Sequence, residues 1–232
     1  MVELDGNSLT LNQLVAIAHD AERVAISGSA QARVRAARLV VDEFADHDTP
    51  TYGINTGFGN FADVKIPHDS LSQLQVNLLR SHAAGVGERL PVPVVRAAMA
   101  LRANVLAKGY SGIRLATLEL FVELLNRGIH PLVPSRGSVG ASGDLAPLAH
   151  IALVLIGEGS VITADGVIDG RMALSRAGLA PAALGPKEGL ALINGTQLMA
   201  AYGAWVASRC DAFCRAADLI ATMSLEALRG SA

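Results

Sequence analysis

The stretch from Thr196 to Leu228 constrains this chain most. Apolar residues recur along it at helical spacing, with no proline and with Gly203 alone to weaken a helix. A helix so long and so apolar needs partners, which commits the chain to helix-on-helix packing. Composition agrees: hydrophobic residues make up 51% of the 232 and aromatic residues only 4%. Ala and Leu are strong helix formers, whereas sheets favour aromatic and β-branched residues. The helix finishes at Leu228-Arg229-Gly230-Ser231-Ala232 with nothing after it to cover it. Either other chains cover it or the natural polypeptide continues, and continuation is the favoured expectation.

The formal net charge of -2, without a basic stripe, excludes a nucleic-acid reader. No basic segment followed by an apolar run marks a secretory signal at Met1-Val2-Glu3-Leu4-Asp5-Gly6. The apolar run Ile151 to Ile156 is far too short to span a bilayer. Cys210 and Cys214 stand i, i+4 and lack the further ligands of a zinc site, so two buried or semi-exposed free thiols and a cytoplasmic location are expected. The histidines His19, His47, His68, His130 and His150 show no metal-ligand spacing and read as surface or packing residues; no metal is expected.

Helical spacing predicts helices over about Thr10–Ala21, Ser29–Asp46, Ser70–Ser81, Arg114–Asn126 and Asp144–Leu155. Pro91 and Pro93 open another, which runs to Lys108 with Gly109 as its stop. Val161-Ile162-Thr163 and Val167-Ile168 around Asp165-Gly166 predict one small hairpin. The expected fold class is therefore all-α with one hairpin, as a helical domain over residues 1–195 and the start of a long-helix bundle over 196–232. Tyr52-Gly53-Ile54-Asn55-Thr56-Gly57-Phe58-Gly59-Asn60 reads as a shaped loop, because its glycines oppose a stable helix.

The segment Gly137-Ser138-Val139-Gly140-Ala141-Ser142-Gly143-Asp144-Leu145-Ala146-Pro147-Leu148-Ala149-His150 carries the chemistry. No Gly-Lys-Ser/Thr follows its glycines, so it is not a phosphate cradle. Gly-x-Ser-x-Gly is not met around Ser142, and Ser142, Asp144 and His150 are too crowded for a triad. A small residue, a serine and a glycine in a bent loop can cyclise, however. The Gly143 nitrogen attacks the Ala141 carbonyl, and dehydration of the adduct and of Ser142 leaves a five-membered ring with an exocyclic methylidene. Gly143 has no Cβ to obstruct the approach. Such a ring is an electrophile that ordinary side chains do not supply.

In this context Ala141-Ser142-Gly143-Asp144 resembles the signature of the aromatic amino acid ammonia-lyases, which carry that methylidene-imidazolone (MIO) group. The resemblance covers the whole chain. Tyr52-Gly53-Ile54-Asn55-Thr56-Gly57-Phe58-Gly59 is similar to the family's tyrosine loop, and Asn194-Gly195-Thr196-Gln197 to its asparagine motif. The resemblance implies Tyr52 as a base on the substrate or an aid to the leaving amine. It implies Asn194 near the MIO group or the substrate carboxylate, with Gly59 and Gln197 supporting; an Asn before Gly also serves as a cap or turn. Asp144 either assists cyclisation or caps the helix that starts there. Ser81-His82 stands where the family's pair faces the substrate ring, and Ser-His resembles the histidine-deaminating members. An imidazole beside an imidazole can exchange a hydrogen bond, whereas an apolar lining would leave the substrate nitrogens unpaired.

The implied activity is deamination of L-histidine to trans-urocanate and ammonia. The alternatives are a tyrosine or phenylalanine ammonia-lyase or aminomutase, or an inactive folding or assembly module. Family members are expected to continue beyond Ala232, adding an arginine, a second tyrosine and a glutamate to a site built by a homotetramer. A C-terminal companion chain would serve the same end.

Overall fold

A computed structural model of the chain describes residues 1–231. Parallel strands β1 (Val2–Leu4) and β2 (Val24–Ile26) flank α1 (Leu11–His19). Thr10 caps α1 reciprocally: its hydroxyl accepts the Gln13 N–H, and Gln13 accepts the Thr10 N–H at 2.9 Å. Ser27 caps α2 (Gly28–Asp46), accepting the Ala30 N–H. The chain continues through α3 (Leu71–His82), β3 (Val86–Arg89), α4 (Val92–Ala107), α5 (Leu115–Asn126), β4 (His130–Pro131) and β5 (Pro134–Arg136). It ends with α6 (Leu145–Leu155), β6 (Ser160–Thr163), β7 (Gly166–Asp169), α7 (Gly170–Arg176), α8 (Glu188–Ile193) and α9 (Gln197–Ala227).

The fold is mainly helical, but the expectation of all-α with a single hairpin is corrected. The β6–β7 hairpin forms around Asp165-Gly166, and β4 adds to its edge; β1 pairs with β2 and β3 with β5. These extra strands are two to four residues long, too short to show a period of two. Their partners lie far away in sequence, as where Asn126 bonds both the N–H and the C=O of Val24 at 2.9 Å. The short helices α7 and α8 are equally illegible from periodicity.

Helix α4 is the axis of the core. Pro91 precedes it, and Gly109, at φ +80°, follows its end. Nearly all of its faces are buried, against α1, α5 and α9 among others. Two arginines go in with it. Arg96 donates to the Ile17 carbonyl at 3.0 and 2.8 Å and to the Leu125 carbonyl at 3.0 Å, so one cation satisfies the C-terminal turns of α1 and α5. Helix α9 differs: of its 31 residues only Gln197, Leu198 and Ala201 are buried. Beyond them Phe213, Leu219, Ile220 and Met223 are exposed on a helix about 46 Å long at 1.5 Å per residue. No described helix is long and apolar enough to cross a membrane.

One smaller expectation is also corrected. Cys210 and Cys214 are both exposed rather than buried or semi-exposed. His19, His47 and His68 lie at the surface, while His130 and His150 are half-buried, and burial pushes both imidazoles below their usual value. Ala232 lies outside the described residues.

Candidate active site

The tripeptide Ala141-Ser142-Gly143 sits in a tight turn between β5 and α6. Residues Gly140–Ser142 form a single 3-10 turn closed by the Gly143 N–H on the Gly140 carbonyl at 3.0 Å. The Val139 N–H donates to the Gly143 carbonyl at 2.9 Å, folding the loop back on itself. Gly140 at φ +61° and Gly143 at φ +128° occupy backbone that side chains oppose. Ala141 and Ser142 face solvent, while Gly143 is buried.

Asp144 is 0% exposed and fastens this turn to two other parts of the chain. One carboxylate oxygen accepts the Ser138 hydroxyl; the other accepts the Met199 N–H at 2.9 Å, in the first turn of α9. Its own N–H donates to the Gly195 carbonyl at 2.7 Å. The expectation that Asp144 caps the helix it precedes is thus corrected: its side chain makes no bond to α6 and caps α9 instead. A carboxylate is favoured at a helix N-terminus, where unpaired N–H groups carry partial positive charge. These bonds bring the tripeptide and the Asn194-Gly195 loop together.

Asn194 is exposed at the end of α8. Behind it, Gln197 is buried and accepts from Arg102 at 3.0 Å; Arg102 also donates to the Ala191 carbonyl. Burial pulls the Arg102 guanidinium down to about 10, and its Nε has no partner. A Cβ on Gly195 would collide with Gln197 Oε1 and lie 2.5 Å from Arg102, so a larger residue there would have to displace this buried pair.

Tyr52 opens a second loop and is 55% exposed, its ring meeting Phe58 edge-on at 6.1 Å. Asn55 holds this loop. It accepts the Thr51 N–H at 2.6 Å and donates to the carbonyls of Phe44, His47 and Thr49 at 3.0–3.1 Å. Gly53, at φ +74°, packs so closely on Leu190 of α8 that a Cβ would lie 2.7 Å from it. Gly59, at φ +57°, opens a short 3-10 turn over open space.

Ser81 and His82 end α3. His82 Nδ1 lies 2.9 Å from the Leu78 carbonyl, which can only accept. In the tautomer that satisfies this contact Nδ1 carries the proton and Nε2 the lone pair. Gly57, Phe58, Phe61, Ser81 and His82 line one cavity of about 330 Å³, which joins the tyrosine loop to the Ser-His pair. Just beyond, the Gly85 N–H donates to His150 Nε2 at 3.1 Å, tying this segment to α6. The side chains of Tyr52, Ser142 and Asn194 make no hydrogen bond to one another among the described residues. The sequence reading missed Asn55, Arg102, Ser138 and the bond made by His150; only Asn55 left a signal, as an Asn within a glycine-rich loop.

A profile described as aromatic amino acid lyase matches residues 9–232. The chain belongs to that family. It is 53% identical over 228 residues to histidine ammonia-lyase of Myxococcus xanthus, covering 98% of this chain and 45% of that protein. It is 54% identical to histidine ammonia-lyase of Gloeobacter violaceus, covering 98% and 44%. Among solved structures, histidine ammonia-lyase from Trypanosoma cruzi superposes with a TM-score of 0.91 at 44% identity, covering 99% and 44%. Tyrosine aminomutase from Streptomyces globisporus gives 0.85 at 38%, covering 90% and 39%. The chain spans about 45% of the length of the curated relatives it matches.

Proposed function

We propose that this chain carries part of the active site of a histidine ammonia-lyase, which deaminates L-histidine to trans-urocanate and ammonia. The observation that carries the reading is the junction at Asp144: this buried residue holds a tight turn, in which Ala141 and Ser142 face solvent, against the Asn194-Gly195 loop and the start of α9. The residues present fit an MIO group, because Gly143 lacks a Cβ and Ser142 keeps a β-hydroxyl to eliminate. Once formed, that group supplies an electrophile for the substrate. The remaining work falls to side chains. His82 Nε2 accepts a hydrogen bond from the substrate imidazole N–H, Ser81 lies beside it, and Asn194 meets the carboxylate or the MIO ring. Tyr52 moves a proton at the substrate or its amine through an exposed phenol. Gly59, Asp144 and Gln197 keep the three loops in place.

In this reading residues 1–195 are the MIO-bearing unit, and 196–232 begin a helix bundle shared with further chain, a companion or copies of itself. The exposed apolar side chains of α9 support such a partner surface. Intact mass, with urocanate followed by ultraviolet absorbance, tests the reading. Expected are a loss of two waters mapped to Ala141-Ser142-Gly143 and turnover of L-histidine once the rest of the site is supplied. Turnover of L-tyrosine or L-phenylalanine in its place would point to the aminomutase-like relatives. A chain that keeps its full mass would leave an assembly module.

A further inference from the structure

We infer that Ser138 is a positioning residue for the cyclisation of Ala141-Ser142-Gly143, an inference that rests on the proposed function. Its hydroxyl is the side-chain group that joins the two arms of the loop. It donates to Asp144 on the outgoing arm and accepts the Gly140 N–H at 3.1 Å on the incoming arm. The Gly140 carbonyl in turn holds the Gly143 N–H, the nitrogen that must attack. Hydroxyl, amide, carbonyl and attacking nitrogen thus form one connected chain, closed below by the bond from the Val139 N–H to the Gly143 carbonyl. Asp144 is immobile because it is buried and also bonded to the first turn of α9. Ser138 transmits that fixity to a loop whose other side chains, at Val139, Ala141 and Ser142, make no hydrogen bond.

The step served is balanced without any oxidant or reductant. The Gly143 nitrogen forms a bond to the Ala141 carbonyl carbon. The Ala141 oxygen leaves as water with the Gly143 and Ser142 amide protons, forming the ring C=N bond. Ser142 Oγ leaves as a second water with its own proton and the Cα proton, forming the exocyclic C=C bond. Both waters escape easily, because Ala141 and Ser142 are exposed. Holding the attacking nitrogen near the carbonyl carbon removes most of the entropic barrier to such a closure. A hydrogen bond to a carboxylate is among the stronger ones available for holding it.

The test follows newly synthesised chain by intact mass over time, with Ser142→Ala as the zero of maturation, and records thermal unfolding for every variant. Ser138→Ala is expected to lose its two waters about tenfold more slowly than the wild type or worse, with thermal unfolding little changed. Ser138→Thr, which keeps the hydroxyl, is expected to mature at close to the wild-type rate. Maturation of Ser138→Ala at the wild-type rate would overturn the role of Ser138 and leave the proposed function standing. Equal slowing in Ser138→Ala and Ser138→Thr, together with a lowered unfolding temperature, would reduce Ser138 to a structural residue. A wild-type chain that never loses water would overturn both readings.

Discussion

The two loops that present Tyr52 and Ser142 are each organised around one buried polar side chain, but the two hubs differ in reach. Asn55 is neutral, and its four side-chain partners all lie between Phe44 and Thr51, so this hub ties the tyrosine loop to itself and to the end of α2. Asp144 is a carboxylate whose partners include Gly195 and Met199, so its loop is tied to the far end of the chain. The first arrangement leaves a phenol exposed on a loop anchored at its base, which suits a group that must meet a substrate. The second fixes a turn from both sides, which suits the cyclisation proposed for it. The Asn55 hub draws on residues close by in sequence, whereas the Asp144 hub is complete only with the start of α9 in place.

Asp144→Ala should have the largest effect on stability. It removes two bonds to a carboxylate, one of them the cap of α9, a loss of about 2–3 kcal/mol in urea unfolding, and the chain should fail to lose its two waters. Full maturation in this variant would remove the distinction between the loops. Next comes Asn55→Ala, which leaves the Thr51 N–H and the His47 carbonyl without their partner and should cost about 1–2 kcal/mol. Its intact mass should still show complete cyclisation; a block there would mean that the two loops are coupled.

A smaller effect is expected from pH. Burial keeps His150 neutral in the folded chain below the usual imidazole value, so the unfolded chain takes up the proton first as pH falls. Stability should therefore be complete above about 6.5 and decline on the acid side. His150→Gln, which retains an acceptor for the Gly85 N–H, should flatten that decline without abolishing it, because His130 is depressed in the same way. An unchanged acid limb in denaturation curves would show that His150 does not contribute. Smallest in stability is Tyr52→Phe, within about 0.5 kcal/mol of wild type because the phenol is exposed. In an assembled enzyme it should nonetheless slow urocanate formation by about 100-fold. A variant as fast as wild type would remove Tyr52 from the chemistry.

Much of the helical frame was legible in advance. The expected helix from Thr10 matches α1 from Leu11, and that from Pro91 matches α4, because capping residues, prolines and 3.6-residue periodicity act within a few turns. The resemblance of three short motifs identified the family for a related reason: their chemistry needs particular residues at fixed spacing. Strands such as β1 and β2 carry no such local signature, since each exists only through a partner about twenty residues away. The same holds for Ser138 and Arg102, ordinary residues in the sequence that become parts of a junction.

The letters alone pointed to one turn for the proposed cyclisation, because Ser142 carries a hydroxyl to eliminate and Gly143 has no Cβ to obstruct the approach. They also determined that the chain packs as helices. Tertiary structure decided what Asp144 does. Placed before α6, it would serve that helix by local preference, yet the helix donor it meets belongs to α9, 55 residues away. A buried carboxylate must find donors wherever folding brings them, and sequence separation sets no limit on which donors those are.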